Sequence, residues 1–188
     1  MYLKNQKADF YCLQETFSLE EYEVIWASDW GGKILFSHGT KHSKGTGILQ
    51  RPNSLFSFKC LSTDPNGRLV IAKIKLGDED FFLAFVYAPC DSQQQYLFIQ
   101  NLCTDIVSKP NISRIIIAGD WNTTEIHSID KCGGCPWQET SYGNSRLSLM
   151  DELGLVNVYR VLHPKKKAMA LTFLPGVRNW NTVFDLQA

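Results

Sequence analysis

Little in this 188-residue chain is in excess. Its 19 basic residues are matched by 19 acidic ones, so no global field of one sign recruits a polyanion, and nucleic acid would have to be held by local groups. No apolar run reaches the roughly 20 residues needed to span a bilayer. Met1-Tyr2-Leu3-Lys4 lacks the apolar stretch of a secretory signal, which predicts a nuclear or cytosolic protein, not a secreted one. The six cysteines, at 12, 60, 90, 103, 132 and 135, are scattered, and several fall inside apolar runs. That spread suits a reducing compartment better than a disulfide framework. Cys132-Gly133-Gly134-Cys135, with His127 upstream, has no second pair to complete a four-ligand zinc site and reads as a glycine-rich loop. Repeats and a flexible linker are missing too, so one domain over residues 1–188 is expected, long enough for a substantial core. The single dense basic run, Lys165-Lys166-Lys167, reads as a solvated loop.

What the chain does have is a set of apolar segments that end in polar residues. Arg114-Ile115-Ile116-Ile117-Ala118 reads as a strand buried on both faces and stops at Gly119-Asp120-Trp121-Asn122. On an extended backbone Asp120 and Asn122 point the same way, into one pocket. A carboxylate and an amide there suit a hard cation and a phosphate oxygen. Ala8 to Leu13 ends at Gln14-Glu15-Thr16, and Phe81 to Tyr87 ends at Ala88-Pro89. Three strand exits therefore present Glu15, Tyr87 and the Asp120/Asn122 pair. One such exit is ordinary turn chemistry; three argue for a shared site.

Elsewhere strands and helices alternate. Ser18 with Glu21 offers a capping box for a helix over Leu19 to Ala27, stopped at Gly31-Gly32. Strands follow over Lys33 to Ser37 and Thr46 to Gln50. Leu69 to Leu76 and Phe81 to Tyr87 form a hairpin around Gly77-Asp78-Glu79-Asp80. Ser92 and Gln95 make a second capping box, for a helix whose apolar face is Ile99, Leu102, Cys103, Ile106 and Val107 and whose end is Lys109-Pro110. A shorter helix fits Ser145 to Leu153, with Gly154 as its stop.

Leu13-Gln14-Glu15-Thr16, Val86-Tyr87-Ala88-Pro89 and Gly119-Asp120-Trp121-Asn122, in this order and at these spacings, resemble the motifs of the endonuclease/exonuclease/phosphatase superfamily. Within it the chain is most similar to the apurinic-type endonuclease domain of LINE-type retrotransposons. Asn66-Gly67-Arg68, Gly154 to Arg160 with His163-Pro164, and Leu171-Thr172-Phe173 fit the same pattern. The resemblance implies an α/β fold of DNase-like four-layer architecture, a two-sheet sandwich flanked by helices. It implies Mg²⁺-dependent phosphodiester hydrolysis, with Mn²⁺ as the alternative ion, and DNA nicked as a retroelement does to prime reverse transcription. Glu15 would ligate the metal, Asp120 would orient or activate the attacking water, Asn122 would hydrogen-bond the scissile phosphate, and Tyr87 would donate its hydroxyl to a phosphate oxygen. DNA is the expected partner, with no membrane and no small-molecule cofactor.

The departures are as specific as the matches. Family members begin with a strand carrying an asparagine near the metal and end with a Ser-Asp-His segment, and the chain shows neither, so the domain is expected to be incomplete at both ends. His38, His42, His127 and His163 do not match the histidine motif. Asp185, in Thr182-Val183-Phe184-Asp185, falls where an aspartate would orient that histidine. Loss of a sheet strand predicts an exposed strand edge. The alternative reading is a catalytically dead remnant that acts at most as a weak binding module.

Overall fold

The computed structural model describes residues 3–109, 114–122, 143–162 and 181–184. The chain divides into two compact units, one of Met1–Tyr87, Ile112–Asp120 and Gly176–Ala188, the other of Ala88–Asn111 and Trp121–Pro175.

The first unit holds eight strands among the described residues: β1 (Phe10–Gln14), β2 (Ile34–Ser37), β3 (Thr46–Gln50), β4 (Ser57–Thr63), β5 (Leu69–Leu76), β6 (Glu79–Tyr87), β7 (Ile115–Asp120) and β8 (Asn181–Phe184). They form two four-stranded sheets, ordered β2-β3-β1-β8 and β4-β5-β6-β7. All neighbours are antiparallel except β6 and β7, which run parallel. The sheets face one another through a single apolar cluster. Phe10, Cys12 and Ile48 come from the first sheet, and Phe58, Val70, Ala72, Ile74, Leu83, Phe85 and Ala118 from the second. This is the two-sheet sandwich that the resemblance implies. The outer face of the first sheet carries a second cluster of Tyr11, Leu13 and Leu49 with Trp30 of helix α1 (Glu23–Trp30). The Trp30 indole N–H donates to the Gln50 carbonyl at 2.6 Å, which locks helix to sheet.

Several expectations are corrected here. β1 is internal, paired by β3 and β8, and among the described strands the sheet edges are β2, β8, β4 and β7. The isoleucines Ile115, Ile116 and Ile117 are half-buried and only Ala118 in β7 is buried. A β-branched run thus reported the strand but not two covered faces. α1 starts later than Leu19, after a 3-10 turn over Glu20–Tyr22, and its N-cap, Tyr22, makes no side-chain cap bond. Ser18 is engaged elsewhere. β4 is an unexpected strand, in which Phe58 alone is buried.

In the second unit, α2 (Ser92–Val107) buries Ile99, Leu102, Cys103 and Ile106 as its periodicity predicts, while Val107 is exposed. Its cap is Asp91, whose carboxylate accepts the Gln94 backbone N–H at 2.9 Å, so Ser92 is the first helical residue and not the cap. Two further helices follow, α3 (Gly143–Glu152) and α4 (Val158–Leu162). Gly154, at φ +61, closes α3 as expected. No described helix is long and apolar enough to cross a membrane.

The described cysteines are all free. Burial pushes the Cys12 thiol well above its ordinary range, whereas Cys90 is exposed. Iodoacetamide at pH 8 is therefore expected to label Cys90 before Cys12, since the thiolate is the nucleophile. Peptide mass spectrometry reads the order, and early labelling of Cys12 would contradict this packing. Cys132, Cys135 and Lys165 to Lys167 lie outside the described residues.

Candidate active site at one end of the sandwich

The inter-sheet face is apolar along most of its length and turns polar at one end. Side chains two apart on a strand share a face. Gln14 therefore lies on the same face of β1 as Phe10 and Cys12, and Thr46 on the same face of β3 as Ile48. Across the gap, Tyr87 follows Leu83 and Phe85 on β6, and Asp120 follows Ala118 on β7. Gln14 and Thr46 are register partners, as are Tyr87 and Asp120. Four polar side chains thus close one end of a hydrocarbon core.

Glu15 reaches this end by breaking the alternation. As the residue after Gln14 on an extended strand it would point to the opposite face. Instead its backbone is left-handed, at φ +49, and Phe17 has the same φ. A non-glycine residue in that region costs about 1–2 kcal/mol and is held there only by its surroundings. The bend brings the Glu15 carboxylate to Tyr87, whose hydroxyl donates to Oε1 at 2.8 Å. Both side chains are half-buried, and the bond joins segments 72 residues apart.

Arg68 is locked to the same tyrosine. Its Nη1 donates to the Tyr87 carbonyl at 3.1 Å, its carbonyl accepts the Tyr87 N–H at 2.8 Å, and its guanidinium lies 5.3 Å from the phenol ring centroid. The preceding turn explains its placement. Asp64 accepts backbone N–H bonds from Asn66, Arg68 and Leu69 and a hydroxyl bond from Ser37. Gly67, at φ +71, lies where a Cβ would come within 2.6 Å of the His38 carbonyl. Asn66-Gly67-Arg68 is therefore a turn in which glycine is required and arginine is delivered to the site. Asp185, which directly follows β8, lies outside the described residues.

Asn122 is placed differently from expectation. β7 ends at Asp120, and Asn122 is left-handed at φ +49. The extended-strand argument that aligned it with Asp120 therefore fails. In the second unit its amide N–H donates to the Ala88 carbonyl at 2.7 Å. Buried Gln95 supplies a parallel staple, donating to the carbonyls of Pro89 at 3.1 Å and Trp121 at 2.7 Å. These bonds tie the segment after β6 to the segment after β7.

Sequence reasoning missed Gln14 and Thr46 as members of the site. The signal was there: counting by twos from Phe10 and Ile48 puts a polar residue on the core face. Gln14 Oε1 and Thr46 Oγ1 are buried and have no hydrogen-bond partner. Such oxygens are costly unless something polar meets them. The Glu15 and Asp120 carboxylates and the buried Gln14 and Thr46 oxygens are hard donors of the type that suits Mg²⁺, an ion that keeps several waters and needs few protein ligands. Among the described residues no three His, Cys, Asp or Glu side chains gather into a cage.

Comparison with known proteins gives the following. No protein-family model matches the chain. It is 27% identical over 158 residues to the transposon TX1 uncharacterized 149 kDa protein of Xenopus laevis, a match that takes in 83% of this chain and 12% of that protein. Among solved structures it superposes on AP endonuclease LMAP from Leishmania major with a TM-score of 0.70 at 17% identity, over 88% of this chain and 63% of that one. The 3′ phosphatase NExo from Neisseria, bound to a product DNA hairpin, gives a TM-score of 0.63 at 18% identity, over 88% and 68% of the two chains. The chain thus spans about an eighth of the curated relative and under two thirds of the AP endonuclease.

Proposed function

We propose, from the DNase-like endonuclease/exonuclease/phosphatase fold that this chain has, that it is a Mg²⁺-dependent phosphodiesterase acting as a DNA-nicking endonuclease of retrotransposon type. The observation that carries the reading is the hydrogen bond from the Tyr87 hydroxyl to Glu15 at 2.8 Å. It joins two of the three strand exits, and the register pairing of Tyr87 with Asp120 brings in the third. The transposon relative supports the retroelement setting, and the DNA-bound phosphatase supports DNA as substrate.

A phosphodiester anion repels an incoming nucleophile, so hydrolysis needs charge neutralisation, a positioned water and a stabilised leaving oxygen. Mg²⁺, bound through Glu15, would supply Lewis-acid stabilisation of the developing charge. The Asp120 carboxylate accepts a proton from the attacking water as its oxygen bonds to phosphorus and the bond to the leaving oxygen breaks. The Tyr87 hydroxyl, a donor to Glu15 here, donates to a non-bridging oxygen once it turns from Glu15 to substrate. Arg68, stacked on that ring, fixes the phenol's orientation. Asn122 keeps the role that the family resemblance implies, a hydrogen bond to the phosphate.

Supercoiled plasmid tests the reading. The chain should nick it in Mg²⁺, stop in excess EDTA and resume when Mg²⁺ is restored. Nicking that persists in EDTA would contradict metal dependence.

A further inference from the structure

The strained bend that aims Glu15 is held by a chain of side chains outside the three motifs. The Thr16 hydroxyl donates to Ser18 Oγ at 2.9 Å, and Ser18 Oγ lies 3.2 Å from Nδ1 of His38. On the other side of the ring, Nε2 lies 3.0 Å from Glu23 Oε1 on α1. One assignment of protons satisfies every partner in turn. Thr16 donates to Ser18, Ser18 to Nδ1, and the Nε2–H to the Glu23 carboxylate. Ser18 is 2% exposed, so its hydroxyl is an internal link and not an accessible nucleophile.

The same bend is laced to the β2–β3 loop by backbone bonds, Thr16 N–H to the Gly45 carbonyl and Phe17 N–H to the Lys44 carbonyl, each 3.1 Å. Gly45, at φ +92, passes so close that a Cβ there would overlap the Thr16 hydroxyl. His38 stands at the mouth of that loop, directly after β2, with its ring 5.5 Å from Phe36. Two left-handed non-glycine residues within three positions relax to ordinary φ unless something opposes it. Backbone bonds alone leave the direction of the bend dependent on a loop. The His38 ring pins it to a strand end and a helix.

We infer that His38, through Ser18 and backed by Glu23, is a positioning residue that holds the left-handed bend at Glu15 to Phe17 and so sets the Glu15 carboxylate in its metal-binding geometry. The role of the metal rests on the function proposed above; the clamp itself does not. Partners that orient a metal ligand from behind are commonly worth about 10–100-fold in metal affinity or activity.

The test uses the whole chain and three readouts: amide hydrogen exchange without metal, Mn²⁺ binding by electron paramagnetic resonance, and plasmid nicking. His38→Ala should lose protection at the Thr16 and Phe17 amides, while β5 and β6 exchange as in wild type. It should bind Mn²⁺ about tenfold more weakly and lower kcat by a similar factor, with KM for plasmid changed less than about twofold. His38→Asn keeps an acceptor near the Nδ1 position and should restore much of each loss. Glu23→Ala, at an exposed helix position, should shift all three in the same direction by less; it also keeps the inference testable should His38→Ala not fold. Unchanged exchange at Thr16 and Phe17 in both alanine variants would overturn the clamp. So would a loss spread evenly over the sheets, which would mark a merely structural histidine. Glu15→Gln separates the two ideas: wild-type Mn²⁺ binding in that variant refutes the metal role of Glu15, while the exchange result still decides the clamp.

Discussion

Asp120→Ala is expected to lower the plasmid nicking rate by about 10²–10⁴-fold, the usual worth of a positioned proton acceptor. Asp120 ends β7 on the inter-sheet face, half-buried, beside Tyr87 in register. Removing its carboxylate leaves an apolar stub at the mouth of the core and takes away the oxygen proposed to accept the water's proton. Glu15→Gln should cost a comparable factor by a different route. The amide keeps the size and can still accept from Tyr87, but it lacks the charge that draws Mg²⁺. Raising Mg²⁺ should therefore recover part of the Glu15→Gln loss and none of the Asp120→Ala loss. Both variants should melt close to wild type, because neither side chain belongs to the apolar clusters. Equal nicking by Asp120→Ala and wild type would remove Asp120 from the chemistry.

The second large effect concerns stability. Gly119 lies at φ +138 opposite Val86, and a Cβ there would overlap the Val86 carbonyl oxygen and crowd its backbone nitrogen. The clash is with the backbone of the parallel partner strand, so no side chain can swing away. Gly119→Ala should cost roughly 3 kcal/mol or more, from forced backbone shift plus an unfavourable φ. Gly77→Ala is the control. Gly77 also has positive φ, at +59, but a Cβ there meets nothing within 4 Å, so only the conformational penalty of about 1–2 kcal/mol applies. Urea denaturation of the two variants measures the difference. Equal midpoints would mean that β6 and β7 do not approach as closely as described.

Most of the strands were legible as apolar runs bounded by glycine, proline or charge; β8 was not read as one. β3 and β5 span Thr46–Gln50 and Leu69–Leu76, the bounds that their composition predicts. β4 was not, since Ser57, Lys59 and Thr63 are exposed and Phe58 is its single buried residue. Caps slipped by a residue where two candidates adjoin: Asp91 and Ser92 both suit an N-cap, and only geometry chooses the carboxylate. The site divides in the same way. Glu15, Tyr87 and Asp120 were visible as polar residues at strand ends. What aims Glu15 was not, because a left-handed φ on glutamate or phenylalanine has no signature in residue type. His38 was set aside for failing a motif, and its contacts with Ser18 and Glu23, 20 and 15 residues away, exist only in the fold. Asn122 shows the converse, a residue singled out by residue type but placed by an alternation that stops two positions earlier.

The most direct test of the account is nicking of supercoiled plasmid by the purified chain in Mg²⁺, run beside folded Asp120→Ala at matched concentration. The account predicts open-circular product from the wild-type chain and a rate at least about a hundredfold lower from the variant. A folded wild-type chain that nicks no faster than Asp120→Ala would contradict it, and would mark this sandwich as one that keeps the fold without the hydrolysis.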